Sequence, residues 1–481
     1  MPYEILSSQQ MAAADRLQIE SGTPGLTLMR NAGKAAARLI AERFQQGSAL
    51  VLCGSGNNGG DGFIVAQHLG QAGWKVRVAA LVPVEALKGD AADAARLWHG
   101  VVEDFEALEI DPADIVIDAV FGIGFDRELT PPVLTIFQKI THQKNKVVAI
   151  DVPSGINGST GVIDPGVLQA DLTITFCRKK LGHVLEPAKS LCGDVVVCDI
   201  GVTDHTVAKA GHQAVENNPG LWIGAYPQRV TSAHKYHYGH ALILGSSQMT
   251  GATRLAAAAC ARMGAGVTTV LAQGDAGAIY RASLPPHVII EDMVGGIEPH
   301  LADARRNAVL LGPGAGANDA GLPDMIAAAC RAGKKIVLDA GALGALAGMP
   351  SLGILNRNCI LTPHEGEFER LFPGLPGNKL ERAKEAAKKV KSIIILKGGD
   401  TVIAAPDGRA VININAPPSL ATAGTGDVLA GMIMGLLAQG MPEFEAACAA
   451  VWVHGECAQH HGACLVASDL ETYIGDVIAN F

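Results

Sequence analysis

A glycine-rich turn that carries one carboxylate, Asp427, is the stretch of this 481-residue chain best suited to chemistry. Its sequence, Ala-Thr-Ala-Gly-Thr-Gly-Asp at 421–427, precedes an apolar run that predicts a helix. Because Gly424 and Gly426 lack a Cβ atom, N–H groups of the turn can converge on an anion at the start of that helix. A carboxylate there is placed to deprotonate a hydroxyl that attacks a phosphoryl group. The alternative is an ordinary helix N-terminus, where Asp427 complements the helix dipole.

A second glycine-dense turn, Gly-Ser-Gly-Asn-Asn-Gly-Gly-Asp-Gly at 54–62, follows a short apolar run at 48–53 that predicts a buried strand. Helix-compatible sequence resumes at Phe63. A strand, a glycine-rich turn and a helix N-terminus together predict a phosphate cradle. The amide and carboxylate oxygens of Asn58 and Asp61 suit a hard cation or a sugar hydroxyl. The alternative is a surface turn, because Asn-Gly and Asp-Gly are common turn dipeptides.

Polar residues also lie at the ends of two later strands of the first half. Asp118 lies in the run DIVIDAVFG, and Asp151 and Ser154 lie in the run KVVAIDVPSG. The loop FGIGFDRE at 121–128 has glycines that can wrap a ligand. Because ligands bind beyond the carboxyl ends of parallel strands, these residues are expected to share one cleft with the turn at 54–62.

The elements that must position these residues alternate between strand and helix. Spacings of three and four predict helix from about Ser7 to Phe44, and the strands that follow are separated by helical sequence. This alternation predicts an α/β fold with a parallel sheet covered on both faces. The periodicity breaks down between Gly201 and Ala233, and a domain boundary is predicted near 215–225.

Three motifs of the first half, GSGNNGGDG, DAVFGIGFDRE and DVPSGINGSTG, resemble the NAD(P)HX epimerase domain, also called the YjeF N-terminal domain, over residues 1–214. The resemblance implies a Rossmann-like three-layer αβα sandwich that binds the hydrated nucleotides NADHX and NADPHX. It implies a potassium ion held by Asn58, Asp118 and Ser154. It also places Asp151 at the ring as the acid–base group. The implied nucleotide-binding residues are Asn57, Asn58, Gly59, Gly60, Asp61, Gly122, Ile123, Gly124, Phe125, Asp126, Arg127, Glu128 and Asp151.

The second half repeats the alternation of strands with glycine-bearing turns, from the run HALILG at 240–245 onwards. Asp339 ends one predicted strand, His364 and Glu367 follow another, and Lys-Gly-Gly-Asp-Thr at 397–401 follows a third. All of them fall at strand carboxyl ends, so one cleft could collect them. The alternatives are a helix-capping or core role for His364 and a solvated strand-end lysine at 397.

The motifs LGPG, TPHEGEFERL, KGGDT and AGTGDVLAG together resemble the ribokinase-like ADP- or ATP-dependent NAD(P)HX dehydratase, the YjeF C-terminal domain, over residues 222–481. The resemblance implies that Asp427 is catalytic. The residues implied to face the hydrated cofactor are Ala252, a glycine of the 312–316 turn (Gly312, Gly314 or Gly316), His364 and Asp427. Those implied to bind ADP or AMP are Lys397, Gly398, Gly399, Asp400, Thr401 and Gly426. The family often has Asp-Ala-Asp where this chain has Asp339, Ala340 and Gly341, which leaves Glu365 or Glu367 as a further carboxylate for Mg²⁺.

The two resemblances imply a repair function for hydrated NADH and NADPH. The first domain would interconvert the R and S epimers, and the second would phosphorylate the ring hydroxyl of the S epimer and eliminate phosphate. Mg²⁺ and ADP are the expected cofactor and co-substrate of the second step, with ATP as the alternative donor. The sequence leaves two rival functions open. One is a ribokinase-like small-molecule kinase with an accessory Rossmann-like domain, and the other gives the first half a binding role without chemistry.

Composition limits the function classes further. The formal charge of −9 argues against broad nucleic-acid binding. The N-terminal sequence lacks a basic stretch followed by an apolar core, and no apolar run is long enough to span a bilayer, so neither secretion nor membrane insertion is expected. The ten cysteines form no Cys-x-x-Cys pair and are interpreted as reduced thiols of a cytoplasmic protein. Sheets of this kind often pair through helices, and a homo-oligomer is expected.

Overall fold

The computed structural model describes residues 3–111, 114–316 and 319–481. The chain divides into two compact units, Met1–Val215 and Glu216–Phe481. Both units are α/β, which confirms the predicted fold class. Within the described residues, no helix is long and apolar enough to cross a membrane.

The first unit alternates strands and helices. Its strands are β1 (Glu4–Leu6), β2 (Ser48–Cys53), β3 (Lys75–Ala80), β4 (Val102–Asp104), β5 (Ile115–Ala119), β6 (Lys146–Ile150), β7 (Leu172–Phe176), β8 (Lys179–Lys180), β9 (Asp194–Cys198) and β10 (Ala214–Glu216). Its α-helices are α1 (Ser8–Glu20), α2 (Gly25–Arg43), α3 (Asn57–Gln71), α4 (Gly89–Ala95), α5 (Pro131–Gln143), α6 (Leu181–Val184) and α7 (Asp204–Ala210).

The second unit continues the same alternation. Its strands are β11 (His240–Gly245), β12 (Val267–Ala272), β13 (Ile289–Asp292), β14 (Arg306–Leu311), β15 (Lys335–Leu338), β16 (Cys359–Leu361), β17 (Ile393–Leu396), β18 (Val402–Ala404) and β19 (Ala410–Ile412). Its α-helices are α8 (Thr250–Arg262), α9 (Ala276–Ser283), α10 (Glu298–Leu301), α11 (Leu322–Arg331), α12 (Gly341–Ala347), α13 (Glu365–Leu371), α14 (Lys379–Val390), α15 (Thr425–Ala438), α16 (Glu443–His461) and α17 (Ala467–Ile478).

The main sheet of the first unit has the strand order β4-β3-β2-β5-β6-β7-β9, and its neighbouring strands are parallel. Its central strand β2 is apolar on both faces. Val51 packs into the core on the side of α2 and α3, whereas Leu50 and Leu52 pack into the core on the side of α5. A strand buried on both faces is typical of a three-layer αβα sandwich. The sheet is therefore Rossmann-like, as predicted.

The segment predicted to be helical, from about Ser7 to Phe44, is divided into two helices in the structure. Helix α1 ends at Glu20, and α2 begins at Gly25. Between them Gly22 has a φ of 110°, a conformation that residues with a Cβ rarely adopt, and Pro24 lies at the N-cap of α2. The apolar spacing continues through this break, and periodicity alone therefore missed it.

The sheet of the second unit has the order β13-β12-β11-β14-β15-β16-β17-β18-β19. Strands β11 to β17 run parallel, and β18 and β19 add antiparallel pairs at one side. One face packs against α8, α15, α16 and α17, whose buried residues form one large core with Ala308 and Leu310 of β14. The alternate residues Val309 and Leu311 are equally buried, so the opposite face is covered as well.

Helix α15 lies very close to α8 because glycines occur where the two helices meet. A Cβ atom placed on Gly431 would lie 2.2 Å from the carbonyl oxygen of Ala256. We expect Gly431→Ala to lower the free energy of unfolding by about 1–3 kcal/mol, because the helix would have to move away from its neighbour. The matched control is Gly475→Ala in α17, where a Cβ meets nothing within 4 Å. That change should raise stability by up to about 1 kcal/mol. Urea unfolding of both variants measures the difference.

The ten cysteines are all free thiols in the structure. Seven are buried, Cys198 and Cys330 are half-buried, and Cys464 is exposed. Most of them therefore act as small apolar core residues, as the surrounding apolar sequence predicts.

Candidate functional site

A cavity of about 520 Å³ opens at the carboxyl ends of the strands in the first unit. It collects most of the residues that the motifs of the first half indicate. Those that line it are Asn57, Asn58, Asp61, Gly122, Ile123, Gly124, Phe125, Asp126, Arg127 and Asp151. Gly59 and Gly60 face the protein interior instead, and Glu128 is exposed and is not part of this lining.

Asp151 directly follows β6 and has a φ of 66°, in the left-handed region that residues with a Cβ rarely adopt. Backbone strain of this kind is held only where the surroundings fix it. Here the Asp151 N–H donates to the carbonyl oxygen of Ile174 (2.8 Å), and the ring Nε2 of His183 lies 2.8 Å from the Asp151 carbonyl oxygen. The strained conformation turns the carboxylate into the cavity.

His183 is neutral and its tautomer is fixed by its contacts. Burial, and then the nearby Lys180 ammonium, lower the pKa of His183 to about 3. Its Nδ1 accepts a hydrogen bond from the Lys180 N–H (3.0 Å), so the proton is on Nε2. Nε2–H therefore donates to the Asp151 carbonyl oxygen, and His183 acts on the backbone of Asp151 rather than as a proton carrier.

Lys180 contacts the Asp151 carboxylate directly, with 2.8 Å between Nζ and Oδ1. The lysine side chain is fully buried, and its ammonium also donates to the Thr175 hydroxyl (2.8 Å) and the Phe176 carbonyl oxygen (3.1 Å). Burial alone would raise the pKa of Asp151, but the Lys180 ammonium and its hydrogen bond outweigh burial and hold that pKa below its usual value. Asp151 is therefore ionised at neutral pH and can accept a proton.

Lys180 and His183 were not among the site residues predicted from the sequence. Both lie in the run CRKKLGH at 177–183, which has no glycine motif and looks like an ordinary basic segment. Strand β7 lies next to β6, and the chain that follows it brings Lys180 back under Asp151. Nothing in that run distinguishes Lys180 from its basic neighbours Arg178 and Lys179.

The asparagines of the glycine-rich turn lie inside helix α3, which begins at Asn57 and not at Phe63 as predicted. The glycines explain the early start, because they let this turn of helix pack directly on the sheet. A Cβ on Gly59 would lie 2.0 Å from the Gly54 carbonyl oxygen, and one on Gly62 would lie 2.7 Å from the Cβ of Ala119. The first N–H groups of α3 therefore face the cavity, as an anion cradle requires.

Of the three residues implied to hold the ion, Asp118 and Ser154 are joined by hydrogen bonds, and Asn58 lines the cavity. Ser154 donates through its N–H to Asp118 Oδ2 (2.8 Å) and through its hydroxyl to Oδ1 (2.6 Å). The side chain of Asn58 is buried, and neither its Oδ1 nor its Nδ2 has a hydrogen-bond partner among the described residues. A buried amide oxygen without a partner is what a bound cation would satisfy, so these residues fit the potassium ion that the resemblance implies.

The side chains of Asn58 and Asp151 both lie close to Gly122. A Cβ on Gly122 would lie 3.3 Å from the Asn58 side chain and 3.3 Å from Asp151 Oδ2. The next residue, Ile123, donates its N–H to the same oxygen of Asp151 at 3.4 Å. Arg127 lies over the Phe121 ring at 5.4 Å from its centroid, which keeps this cation at the cavity mouth. The loop therefore places a positive charge where a phosphate group can reach it.

A second constellation lies at the carboxyl ends of the strands in the second unit. Asp427 is in the first turn of α15, behind Gly424, whose φ is 89°. Burial first, and then the field of Asp339, raise the pKa of Asp427 to about 6, while Lys397 acts in the opposite direction. Lys397 Nζ lies 3.0 Å from Asp339 Oδ1 and would lie 3.4 Å from a Cβ on Gly426. The lysine and the helix N-terminus therefore face one another beside a carboxylate that can act as a base.

The glycine turn at 312–316 also lies here, next to α8. A Cβ on Gly314 would lie 2.2 Å from the Met249 carbonyl oxygen and 3.4 Å from the Ala252 Cβ. Gly312 and Gly314 have φ values of 115° and 75°, and a Cβ on Gly316 would lie 3.0 Å from Gln248 Oε1. The predicted cofactor-facing residues of this turn and Ala252 are thus brought together.

His364 is exposed and forms the N-cap of α13. Its Nδ1 accepts from the N–H groups of Gly366 (3.0 Å) and Glu367 (3.4 Å), and Glu367 Oε2 accepts from the His364 N–H (2.9 Å). His364 therefore caps a helix, which is one of the alternatives that the sequence left open. Nε2 lies 3.6 Å from Glu367 Oε2, and the ring is exposed, so contact of His364 with the substrate stays a prediction.

The turn at 397–401 is stabilised from below by a buried lysine. Lys379 Nζ pairs with Asp400 Oδ1 (2.5 Å) and donates to the Lys397 carbonyl oxygen (3.2 Å). Thr401 donates its hydroxyl to the Gly398 carbonyl oxygen (2.8 Å), while Gly398 and Gly399 are exposed. Asp400 therefore stabilises the turn, and the two glycines form its exposed part.

Gly341 cannot be replaced by a residue with a side chain on the present backbone. A Cβ there would lie 2.3 Å from the Ala315 carbonyl oxygen, and the preceding Ala340 has a strained φ of 47°. The carboxylates proposed instead are engaged elsewhere: Glu365 pairs with Arg382, and Glu367 caps α13. Asp339 remains near the site, because its negative charge raises the pKa of Asp427. Among the described residues, no group of three His, Cys, Asp or Glu side chains is arranged to hold a metal ion.

These features define a class: a two-unit α/β enzyme in which each unit has a glycine-rich helix N-terminus and a half-buried aspartate near the carboxyl ends of its parallel strands. Comparison with known proteins agrees. The family model described as NAD(P)H-hydrate dehydratase matches residues 240–480, and that described as YjeF-related protein N-terminus matches residues 25–182.

Two relatives match along nearly their whole length. The bifunctional NAD(P)H-hydrate repair enzymes of Salinibacter ruber and Moorella thermoacetica are each 34% identical over 99% of this chain, and the match covers 96% and 97% of their lengths. A crystal structure of the ADP/ATP-dependent NAD(P)H-hydrate dehydratase from Bacillus subtilis with ATP/Mg²⁺ is 32% identical over 55% of this chain and 98% of that chain, with a TM-score of 0.49. The chain belongs to the family of bifunctional NAD(P)H-hydrate repair enzymes.

Proposed function

We propose that residues 1–214 interconvert the R and S epimers of hydrated NADH and NADPH, and that residues 222–481 return the S epimer to NADH or NADPH with ADP as phosphoryl donor. The observation that carries the proposal is the pair of half-buried carboxylates, Asp151 and Asp427, each beside a glycine-rich helix N-terminus. Hydrated NADH and NADPH and ADP are its small-molecule partners, and the chain's acidic charge of −9 provides no basis for nucleic-acid binding.

In the dehydratase step, Asp427 takes the proton of the ring hydroxyl as that oxygen attacks the terminal phosphoryl group of ADP. Hydroxide is a poor leaving group, and phosphorylation lets phosphate leave carbon 6 with the bonding electron pair. Carbon 5 then gives up a proton to solvent, and its electron pair forms the double bond between carbons 5 and 6. N–H groups at the start of α15 and the Lys397 ammonium face the transferring group and offset its charge. AMP, phosphate and the restored nicotinamide ring are the products.

Mg²⁺ bound with the nucleotide would neutralise phosphate charge at this site. Asp339 could contribute an oxygen ligand to this Mg²⁺, because its carboxylate is buried and lies close enough to Asp427 to raise the pKa of that residue. The Lys397 ammonium holds Asp339 in place at 3.0 Å, and the Thr362 hydroxyl does so at 2.7 Å.

In the epimerase step, the ionised Asp151 takes the proton of the hydroxyl on ring carbon 6. The carbon–nitrogen bond of the carbinolamine then opens, and rotation before closure exposes the other face. Lys180 keeps the base ionised, and His183 holds its backbone. Asn58, Asp118 and Ser154 would hold the potassium ion, which supplies positive charge beneath the phosphate cradle.

Potassium dependence gives a prediction with two readouts. Asn58→Ala removes a buried oxygen that has no protein partner, so we expect epimerase activity in K⁺ to fall about 10- to 100-fold. The thermal midpoint of the wild type should rise with K⁺, because an ion that binds the folded state stabilises it, whereas that of the variant should not. Choline chloride at equal ionic strength is the control. An equal K⁺ response in both proteins would remove Asn58 from the ion site.

The proposed function is tested by incubating the purified chain with a chemically prepared R and S mixture of hydrated NADH, Mg²⁺ and either ADP or ATP. Recovery of absorbance at the NADH band, release of phosphate and loss of both epimers are expected, with faster recovery in ADP. A stable phosphorylated substrate would instead identify a kinase. Recovery that stops when the S epimer is exhausted would show that the first unit has no epimerase chemistry.

A further inference from the structure

Asp15 is a further carboxyl group that lines the same cavity as Asp151. It lies on α1, ahead of the segment at 25–182 that the family model matches. Its Oδ1 is buried from solvent and has no hydrogen-bond partner among the described residues. A buried carboxyl oxygen without a partner costs free energy unless the group is protonated or a ligand contacts it.

We propose that Asp15 is the general acid of the epimerisation, working opposite the base Asp151; this inference rests on the proposed epimerase function. Opening of the hydrated ring needs two proton transfers. The hydroxyl on carbon 6 gives its proton to Asp151 and becomes the aldehyde oxygen, while the bond between carbon 6 and the ring nitrogen breaks. Its electron pair goes to the nitrogen, which takes a proton from Asp15. Rotation about the bond between carbons 5 and 6 and the reverse transfers then give the other epimer.

The two carboxyl groups have environments that suit these opposite roles. Asp151 pairs with the Lys180 ammonium at 2.8 Å and is ionised. Asp15 has no such contact in the described residues, and burial raises its pKa to about 6, with the field of Lys180 lowering it and that of Asp151 raising it. An acid and a base with separated pKa values in one cavity is the arrangement that a two-proton reaction needs.

Asp61 is the competing candidate, because it also lines the cavity. Burial raises its pKa well above the usual value, and the fields of Asp151 and Asp15 add to the effect. Such a carboxyl group remains protonated and gives up its proton less readily, which suits a hydrogen-bond donor to the nucleotide better than a proton donor that must cycle.

The charged surroundings of Asp15 set the expected pH dependence. The ionisable groups that interact electrostatically with Asp15 are Lys180, Asp151, Asp61 and the thiol of Cys177. Burial raises the pKa of that thiol to about 11. The ionisable residues of α7, which packs on α1, are exposed: Asp204, His205 and Lys209. Because Asp15 must be protonated to act, kcat/KM for epimerisation should decrease as the pH rises through about 6.

The test uses the full chain and follows interconversion of purified R and S hydrated NADH without ADP. Asp15→Asn should lower kcat about 100- to 1,000-fold with little change in KM and should remove the alkaline limb of the pH profile. Asp15→Glu should regain at least about a tenth of the activity and shift that limb. Glu20→Gln is the matched control, since Glu20 is an exposed carboxylate on the same helix and should change neither value.

The outcomes separate this role from the proposed function. Wild-type protein without interconversion would overturn the epimerase function and this role with it. An active wild type with an equally active Asp15→Asn would overturn the role of Asp15 alone. If Asp15→Asn and Asp15→Glu lose equal activity and the alkaline side of the pH profile is unchanged, Asp15 has only a structural role. Loss of the limb in Asp61→Asn but not in Asp15→Asn would transfer the role to Asp61.

Discussion

Asp427→Asn should lower kcat of the dehydratase about a thousandfold or more and leave KM for the nucleotide nearly unchanged. The amide keeps the size of the carboxylate but cannot accept the hydroxyl proton. Asp324→Asn is the matched control, because Asp324 is an exposed aspartate in the first turn of α11. If Asp427 only complements the helix dipole, both variants should lose at most about 1 kcal/mol of stability and no activity. Normal turnover by Asp427→Asn would therefore refute its role as base.

The pH profile of the wild-type dehydratase gives a second measurement on the same residue. Burial and the field of Asp339 raise the pKa of Asp427 to about 6, and only the ionised form can accept a proton. We therefore expect kcat/KM to fall as the pH drops below about 6 and to be level above it. Asp339→Asn removes one of the causes and should move this limb to lower pH.

Lys180→Met should lower epimerase activity at neutral pH about 100- to 1,000-fold. Without the ammonium, burial is expected to raise the pKa of Asp151, so less of the base is ionised and the acid limb of the pH profile should move upwards. Removing one partner of a buried pair also destabilises the fold by about 3–5 kcal/mol. Dehydratase activity should remain, because Asp427 and its neighbours belong to the other unit.

Two companion variants make this result interpretable. Lys146→Met removes an exposed lysine paired with Asp171 and should cost less than about 1 kcal/mol without affecting epimerisation. The double variant Lys180→Met with Asp151→Asn leaves no unpaired charge, so it should recover much of the lost stability while remaining inactive. Recovery of epimerase activity in that double variant would contradict the assignment of Asp151 as the base.

The two predicted losses are independent of one another. The Asp427 variant should still equilibrate the epimers, and the Lys180 variant should still dehydrate the S epimer until it is exhausted. In a mixture of the two variants, full recovery of NADH from both epimers is expected, because each protein supplies the step that the other lacks.

Much of the fold follows from local sequence patterns. The strands β2 and β11 have the bounds that their apolar runs, 48–53 and 240–245, predict. Continuous apolar runs between glycine-rich turns are typical of parallel strands buried on both faces, and the chain repeats this pattern in both halves. Local signals failed where the backbone conformation changed without a change in periodicity, as at Gly22 between α1 and α2.

The sequence by itself determined the glycine-rich turns and strand-end carboxylates that are proposed to carry the chemistry, since these residue types at strand ends are typical of ligand-binding clefts. Only the tertiary structure decided the protonation states. Asp151 and Asp427 look alike in sequence, yet one lies against a buried lysine from a distant segment and has a lowered pKa, whereas the other lies near Asp339 and has a raised one. Burial and charge partners arise from residues far apart in the chain, and a local motif cannot encode them.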